Sequence, residues 1–134
     1  DYEEGTWTAL LKDASQNAST TSVSTCHYTK IGRMVYIYGQ IRTSSVSGLS
    51  GNIRMYGLPF TASAGWDTTS AVHIADAAYM NITAGQNMSG WVHNNSTYFD
   101  ISLWDVATGS SYMQISEWSD DGQIMFGGQY STSA

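Results

Sequence analysis

The carboxylates Asp67, Asp100, Asp105, Glu117, Asp120 and Asp121 are the side chains of this sequence with the clearest capacity for covalent chemistry. Glycoside hydrolysis needs two acids a few ångströms apart, one to protonate the leaving oxygen and one to act as nucleophile or base. Their sequence spacing does not pair them, and a chain of this size commonly carries as many acids that merely shape turns. His27, His73 and His93 fall on separate expected strands, without His-x-His or His-Glu-x-x-His spacing, so no metal site is expected within one chain. Three copies of one histidine on a symmetry axis are the alternative to plain structural roles. No Gly-x-Ser-x-Gly and no glycine-rich loop opening a helix occurs, which argues against a hydrolase elbow or a phosphate cradle. Asp120-Asp121-Gly122 lacks the later ligands of an EF-hand and reads as a turn. No catalytic residue and no cofactor is expected.

Sugar binding is better motivated, because apolar ring faces and fixed hydroxyls are met by aromatic planes beside Asp, Asn and Gln. Trp66-Asp67 sits in an expected loop, Asn94-Asn95 leads to Tyr98, Trp104-Asp105 closes a strand, and Trp118 precedes Asp120 and Asp121. The competing reading has the tryptophans capping a core and the acids shaping turns. That reading is adopted for Trp7 and Trp91, and both stay open for Trp104. Trp66 and Trp118 are the preferred ligand platforms, with Asp67, Asn94, Asn95, Tyr98, Asp120 and Asp121 as candidate polar or aromatic neighbours. Asn-x-Ser/Thr occurs at Asn17, Asn81, Asn87, Asn94 and Asn95, which follows from an Asn-, Ser- and Thr-rich composition and carries little weight.

These groups must be positioned by strands. From Val35 the odd positions read Val35, Ile37, Gly39, Ile41 and the even ones Met34, Tyr36, Tyr38, Gln40, a period-two pattern in which neither face is plainly polar. The odd set is expected in the core, and the Met34, Tyr36 and Tyr38 row calls for a second apolar contact, against another sheet or another subunit. Gly32 is a natural turn position ahead of that strand. Asn52 to Tyr56 is a short strand ending near Pro59, the sole proline. Val72, Ile74, Met80 and Ile82 indicate two strands or one long bulged strand. After the turn at Asn94 to Thr97, Phe99, Ile101 and Leu103 share one face, and a meander of hairpins follows, turning at 105–111 and 119–122. Cys26, alone, is expected as a small buried thiol.

The chain of 134 residues fits a single domain spanning 1–134. Aromatics reach 13% and charged residues 12%, roughly half the usual charged share. So few charges favour hiding surface by association. The expected class is all-β, an antiparallel β-sandwich or small barrel-like protomer. A formal net charge of -6 argues against nucleic acid as partner. No apolar run is long enough to span a bilayer and no signal-peptide pattern is present, so no membrane insertion is expected. Starting at Asp1 without Met, the chain reads as a piece of something longer.

Three patches together resemble the distal, receptor-binding domains of tailed-bacteriophage tail fibres and related virion proteins: Tyr2-Glu3-Glu4-Gly5-Thr6-Trp7-Thr8, then Tyr28-Thr29-Lys30-Ile31-Gly32-Arg33-Met34-Val35, then Gly57-Leu58-Pro59-Phe60. The family's opening patch commonly continues with proline where Ala9 stands here. The resemblance covers about the first half, with 1–12 as entry from a missing stalk and 21–60 as family-like scaffold; 61–134 would be a variable, loop-bearing half. It implies a homotrimer at a fibre tip in the virion, made in the host bacterial cytoplasm. Its partner would be a host-surface polysaccharide or lipopolysaccharide, bound without catalysis. It also supplies an occupant for the Met34, Tyr36 and Tyr38 row, near a three-fold axis. A small depolymerase with an intersubunit carboxylate site and a purely structural trimerisation knob are the alternatives.

Overall fold

In a computed structural model that describes residues 1–65 and 70–133, the chain forms ten strands of one antiparallel sheet. They are β1 (Tyr2–Trp7), β2 (Leu10–Asp13), β3 (Thr20–Ile31), β4 (Met34–Ser45), β5 (Ile53–Tyr56), β6 (Ala71–Met80), β7 (Asn87–Val92), β8 (Tyr98–Val106), β9 (Gly109–Tyr112) and β10 (Trp118–Ser131). The strand order is β1-β3-β4-β10-β6-β7-β8-β5-β2, with β9 paired to β8. The two outermost strands, β1 and β2, are consecutive and joined through Thr8 and Ala9, so the sheet must curl until its edges lie together. Ser24 on β3 clasps that junction, accepting from the Ala9 amide at 3.0 Å and donating to the Ala9 carbonyl at 3.2 Å. Of the two expected architectures this is the barrel-like one.

Alternation supplies the lining. Val35, Ile37 and Ile41 are buried as expected, and on β8 Phe99, Ile101 and Leu103 face the same core. Phe126 of β10 touches both walls, lying 5.8 Å from the Trp7 ring and 5.4 Å from that of Phe99. The β3–β4 hairpin closes with Ile31 opposite Met34 and Gly32 at positive φ, the left-handed backbone that a two-residue turn requires. Val72, Ile74 and Met80 prove to share one strand, β6, whose pairing with β10 shifts register twice. Cys26 is buried, its Sγ 3.8 Å from the Gln40 carbonyl, and burial pushes its thiol pKa up.

The three quoted patches meet in space. Phe60 stands edge-on to Tyr28 at 5.3 Å, with Lys30 Nζ 5.6 Å from the Phe60 ring centre. Gly57, at φ +106°, passes so close to the β1–β2 junction that a Cβ would fall 2.0 Å from the Thr8 carbonyl oxygen. Buried Tyr130 ties the cluster to β10, its hydroxyl donating to the Phe60 carbonyl at 2.9 Å and accepting from the Phe60 amide at 3.1 Å.

The C-terminal meander differs from expectation. β8 runs on to Val106, so the expected turn at 105–111 contracts to the β8–β9 connection, and a single 3₁₀ turn at Ile115–Glu117 precedes β10. Asp120, Asp121 and Gly122 are not a turn but the opening of β10. The tertiary reason is Trp118: its indole covers Gly122 at a place where a Cβ would come within 2.5 Å of Nε1. The Asp120 backbone and side chain then serve neighbouring strands, its carbonyl accepting from Thr43 Oγ1 at 2.7 Å and its Oδ1 from the Val46 amide at 3.0 Å.

Candidate functional site

The even positions of β5 and β8 point away from the core and build a ring-lined outer face. Tyr56 and Tyr98 lie opposite each other with centroids 4.8 Å apart. His93, just past β7, stacks on Tyr98 at 5.3 Å and on Trp91 at 5.1 Å, giving a continuous column Trp91–His93–Tyr98–Tyr56. Trp91 belongs to this column because Met88, Gly90 and Val92 use the inward positions of β7. Its expected role as a core cap is therefore corrected: it is half-buried on the outer face.

A charged row crosses the strands beside the column. Trp91 on β7 is opposite Asp100 on β8, Asp100 is opposite Arg54 on β5, and Arg54 is opposite Lys12 on β2. Both cations rest over rings, Arg54 4.7 Å from the Tyr98 centroid and Lys12 5.2 Å from that of Tyr56. Asp100 is 2% exposed, and Arg54 Nε lies 3.5 Å from its Oδ1. Burial pushes the Asp100 carboxyl above the ordinary carboxylate range, against the opposing pull of Arg54 and His93. Burial likewise raises Tyr98, which Arg54 partly offsets. Between Trp91 and Tyr112 the face sinks into a recess of about 240 Å³ floored by Ser102, Ser110 and Ser111.

One supporting group was not legible in the sequence. Asp13, at the end of β2, is fully buried and accepts four hydrogen bonds, from the amides of Ser15, Asn17 and Ser50 and from Asn17 Nδ2, all within 3.0 Å. Burial works to raise its pKa, and these donors outweigh it, leaving the carboxyl below the ordinary value. The tight turn it fixes carries Gln16, at φ +70°, whose Nε2 donates to the Tyr56 hydroxyl at 2.6 Å.

The structure brings Asn94, Asn95 and Tyr98 to this region: the Asn94 carbonyl contacts His93 Nδ1 at 3.1 Å, and Asn94 Nδ2 donates to the Ala64 carbonyl at 2.9 Å. Asn95 takes positive φ in the turn before β8. Trp66 and Asp67 lie outside the described residues. Trp118 is corrected outright: at 2% exposure, with Nε1 donating to Thr43 Oγ1 at 2.9 Å, it is core and presents no plane to a ligand. Asp120 and Asp121 are exposed, Asp120 Oδ1 accepting from the Val46 amide and Asp121 lying 3.8 Å from Arg42. Trp104, open in both readings, is 57% exposed and donates to Ser89 Oγ at 2.9 Å.

Met34, Tyr36 and Tyr38 occupy a different outer face, on β4. Tyr36 and Tyr38 are exposed, Tyr38 at 56%, with His27 stacked on Tyr38 at 5.2 Å. A shallower hollow of about 290 Å³ runs alongside, between β1 and Tyr38. No cluster of His, Cys, Asp or Glu suited to a metal ion occurs among the described residues. Among them, too, no helix is long and apolar enough to cross a membrane.

No family model matches the chain, and no curated protein matches it. Among solved structures it is similar to the crystal structure of Dettilon tailspike protein, with 18% sequence identity and a TM-score of 0.81 over 97% of this chain. The chain spans 24% of that protein's length. At that identity the likeness is one of fold.

Proposed function

We propose that this chain is a receptor-binding domain of a bacteriophage tail fibre or tailspike, working as a homotrimer in the virion and holding a bacterial surface glycan without cleaving it. The observation that carries the reading is the outer ring column with its serine-floored recess. Rigid aromatic planes beside fixed hydroxyls, an amide and ionic groups are what a sugar's apolar face and hydroxyls require. The likeness to a protein named a tailspike supports the phage setting, and the quoted sequence patches support it independently. The glycan would enter the recess between Trp91 and Tyr112. Among the described residues the charges acting on Asp100 come from Arg54 and His93, whereas a glycosidase sets a second carboxylate near the first, which favours non-catalytic binding. The face at Met34, Tyr36 and Tyr38 is assigned to contact between copies, since Tyr36 and Tyr38 stay exposed among the described residues.

The test is adsorption. Fluorescently labelled protein is incubated with host cells and with purified surface polysaccharide, alongside Trp91→Ala. Retention of the wild-type protein and its loss in the variant, with no reducing ends released, is the expected result. Equal retention by both proteins, or release of reducing ends, overturns the assignment.

A further inference from the structure

We infer that the ring face selects a carboxylate-bearing glycan, with Arg54 and its neighbour Lys12 reading the acid group. This deepens the glycan-binding reading above and rests on it. The chain has five basic residues against eleven acidic ones. Three of the five lie elsewhere in the fold: Lys30 is buried 3.4 Å from Asp1, Arg33 Nε donates to the Thr132 carbonyl at 3.1 Å, and Arg42 pairs with Asp121. The remaining two, Lys12 and Arg54, are cross-strand neighbours beside the ring column. In a strongly acidic chain, this places paired positive charge where the aromatic platform is.

Arg54 pairs with Asp100 yet has donors to spare. Its Nη1 makes a long 3.4 Å hydrogen bond to the Tyr56 hydroxyl, while its Nε is buried without a hydrogen-bond partner despite the ionic proximity of Asp100. A guanidinium carries five donors in a planar fork that matches a carboxylate. Asp100 approaches the guanidinium at Nε, 3.5 Å from its Oδ1, and one carboxylate there does not occupy all five donors. Asp105, on β8, accepts from Ser111 Oγ at 2.7 Å. Trp91 and Arg54 lie in one row two strand spacings apart, about 10 Å. An oligosaccharide with one ring against Trp91 therefore reaches Arg54 with a nearby unit. A neutral sugar would leave the guanidinium's remaining donors to water, whereas a uronate or comparable acidic sugar would satisfy them.

The experiment uses an array of bacterial surface polysaccharides, each immobilised in native form and after chemical reduction of its carboxyl groups to alcohols. The wild-type chain is expected to bind acidic polysaccharides and to lose roughly tenfold or more on their reduction. Arg54→Gln should weaken the native acidic hits by a similar factor, and by clearly more than it weakens binding to the reduced forms. Arg54→Lys, which keeps the charge and loses the fork, should fall between. Equal binding of native and reduced forms, or hits confined to neutral glycans, overturns the inference and leaves glycan binding standing. Absence of any hit overturns both. Should Arg54→Gln fail to fold, as judged by circular dichroism, the native-against-reduced comparison with wild-type protein decides alone.

Discussion

The two outer faces of this sheet both carry aromatic rings, exposed on β4 and half-buried in the column, and they are built differently. On β4 the tyrosines stand exposed on a long hairpin, with one stacking partner in His27 and a neighbouring hollow lined by Glu4, Thr6 and Thr29. On β5, β7 and β8 the rings touch one another in series, two carry cations over them, and a buried carboxylate and a glutamine hold the arrangement from either side. Exposed rings that stand apart from one another suit a second protein surface, as at subunit interfaces. A column indented by a recess and supported by fixed polar groups suits a small, hydroxylated ligand. Ring content alone does not distinguish recognition from association; the support beneath the rings does.

The contrast can be broken most forcibly at Tyr38. Tyr38→Glu would bury an unpaired carboxylate in the proposed interface, costing several kcal/mol, so sedimentation should show single chains where the wild type is expected to be a trimer. A wild-type chain that is already monomeric at micromolar concentration would remove the assignment of that face. Next, Trp91→Ala should cost about 2 kcal/mol of binding, roughly 30-fold, while the sedimenting mass stays unchanged. Loss of both together would mean the faces are not separable.

A smaller effect is expected beneath the column. Asp13→Asn turns one acceptor toward amide donors and should destabilise the fold by about 1–3 kcal/mol in denaturant titrations at neutral pH. Because the Asp13 pKa is lowered on folding, its contribution is present above the ordinary carboxylate range and is lost as pH falls through the folded value. The gap between wild type and Asp13→Asn should therefore close in acid. The smallest change is at Asp100, whose raised pKa has the opposite sign: folding is favoured by its protonation, so stability falls as pH rises from the ordinary carboxylate value through the raised one. Asp100→Asn should remove that slope, visible as a flatter melting-temperature profile in weakly acidic buffer.

Much of the fold was legible because it is written in local pattern. The alternation at Val35, Ile37 and Ile41, the turn at Gly32 and the face of Phe99, Ile101 and Leu103 need no knowledge of distant neighbours. The site was less legible, since it depends on which strands are adjacent. Asp100 and Arg54 are far apart in the chain and become neighbours through the β5–β8 pairing, for which neither residue carries a signal. Asp120-Asp121-Gly122 misled for the converse reason: a strong turn composition was overridden by an indole seated over Gly122. Trp91 misled because a single tryptophan cannot declare its side of a strand; the glycine before it, whose Cβ would meet Phe99 at 3.0 Å, was the available sign that the inward side was taken.

The central position of β10, between β4 and β6, bears on how the chain folds. A ribosome makes this strand after every other strand of the sheet, yet it joins β1, β3 and β4 on one side to β6, β7, β8, β5 and β2 on the other. Until it emerges, β4 and β6 present unpaired edges open to another nascent chain. Closure is thus deferred to the end of synthesis of this region, and such long-range pairing is intrinsically slow. Refolding yield should accordingly depend steeply on protein concentration, with aggregation through those two edges as the competing fate.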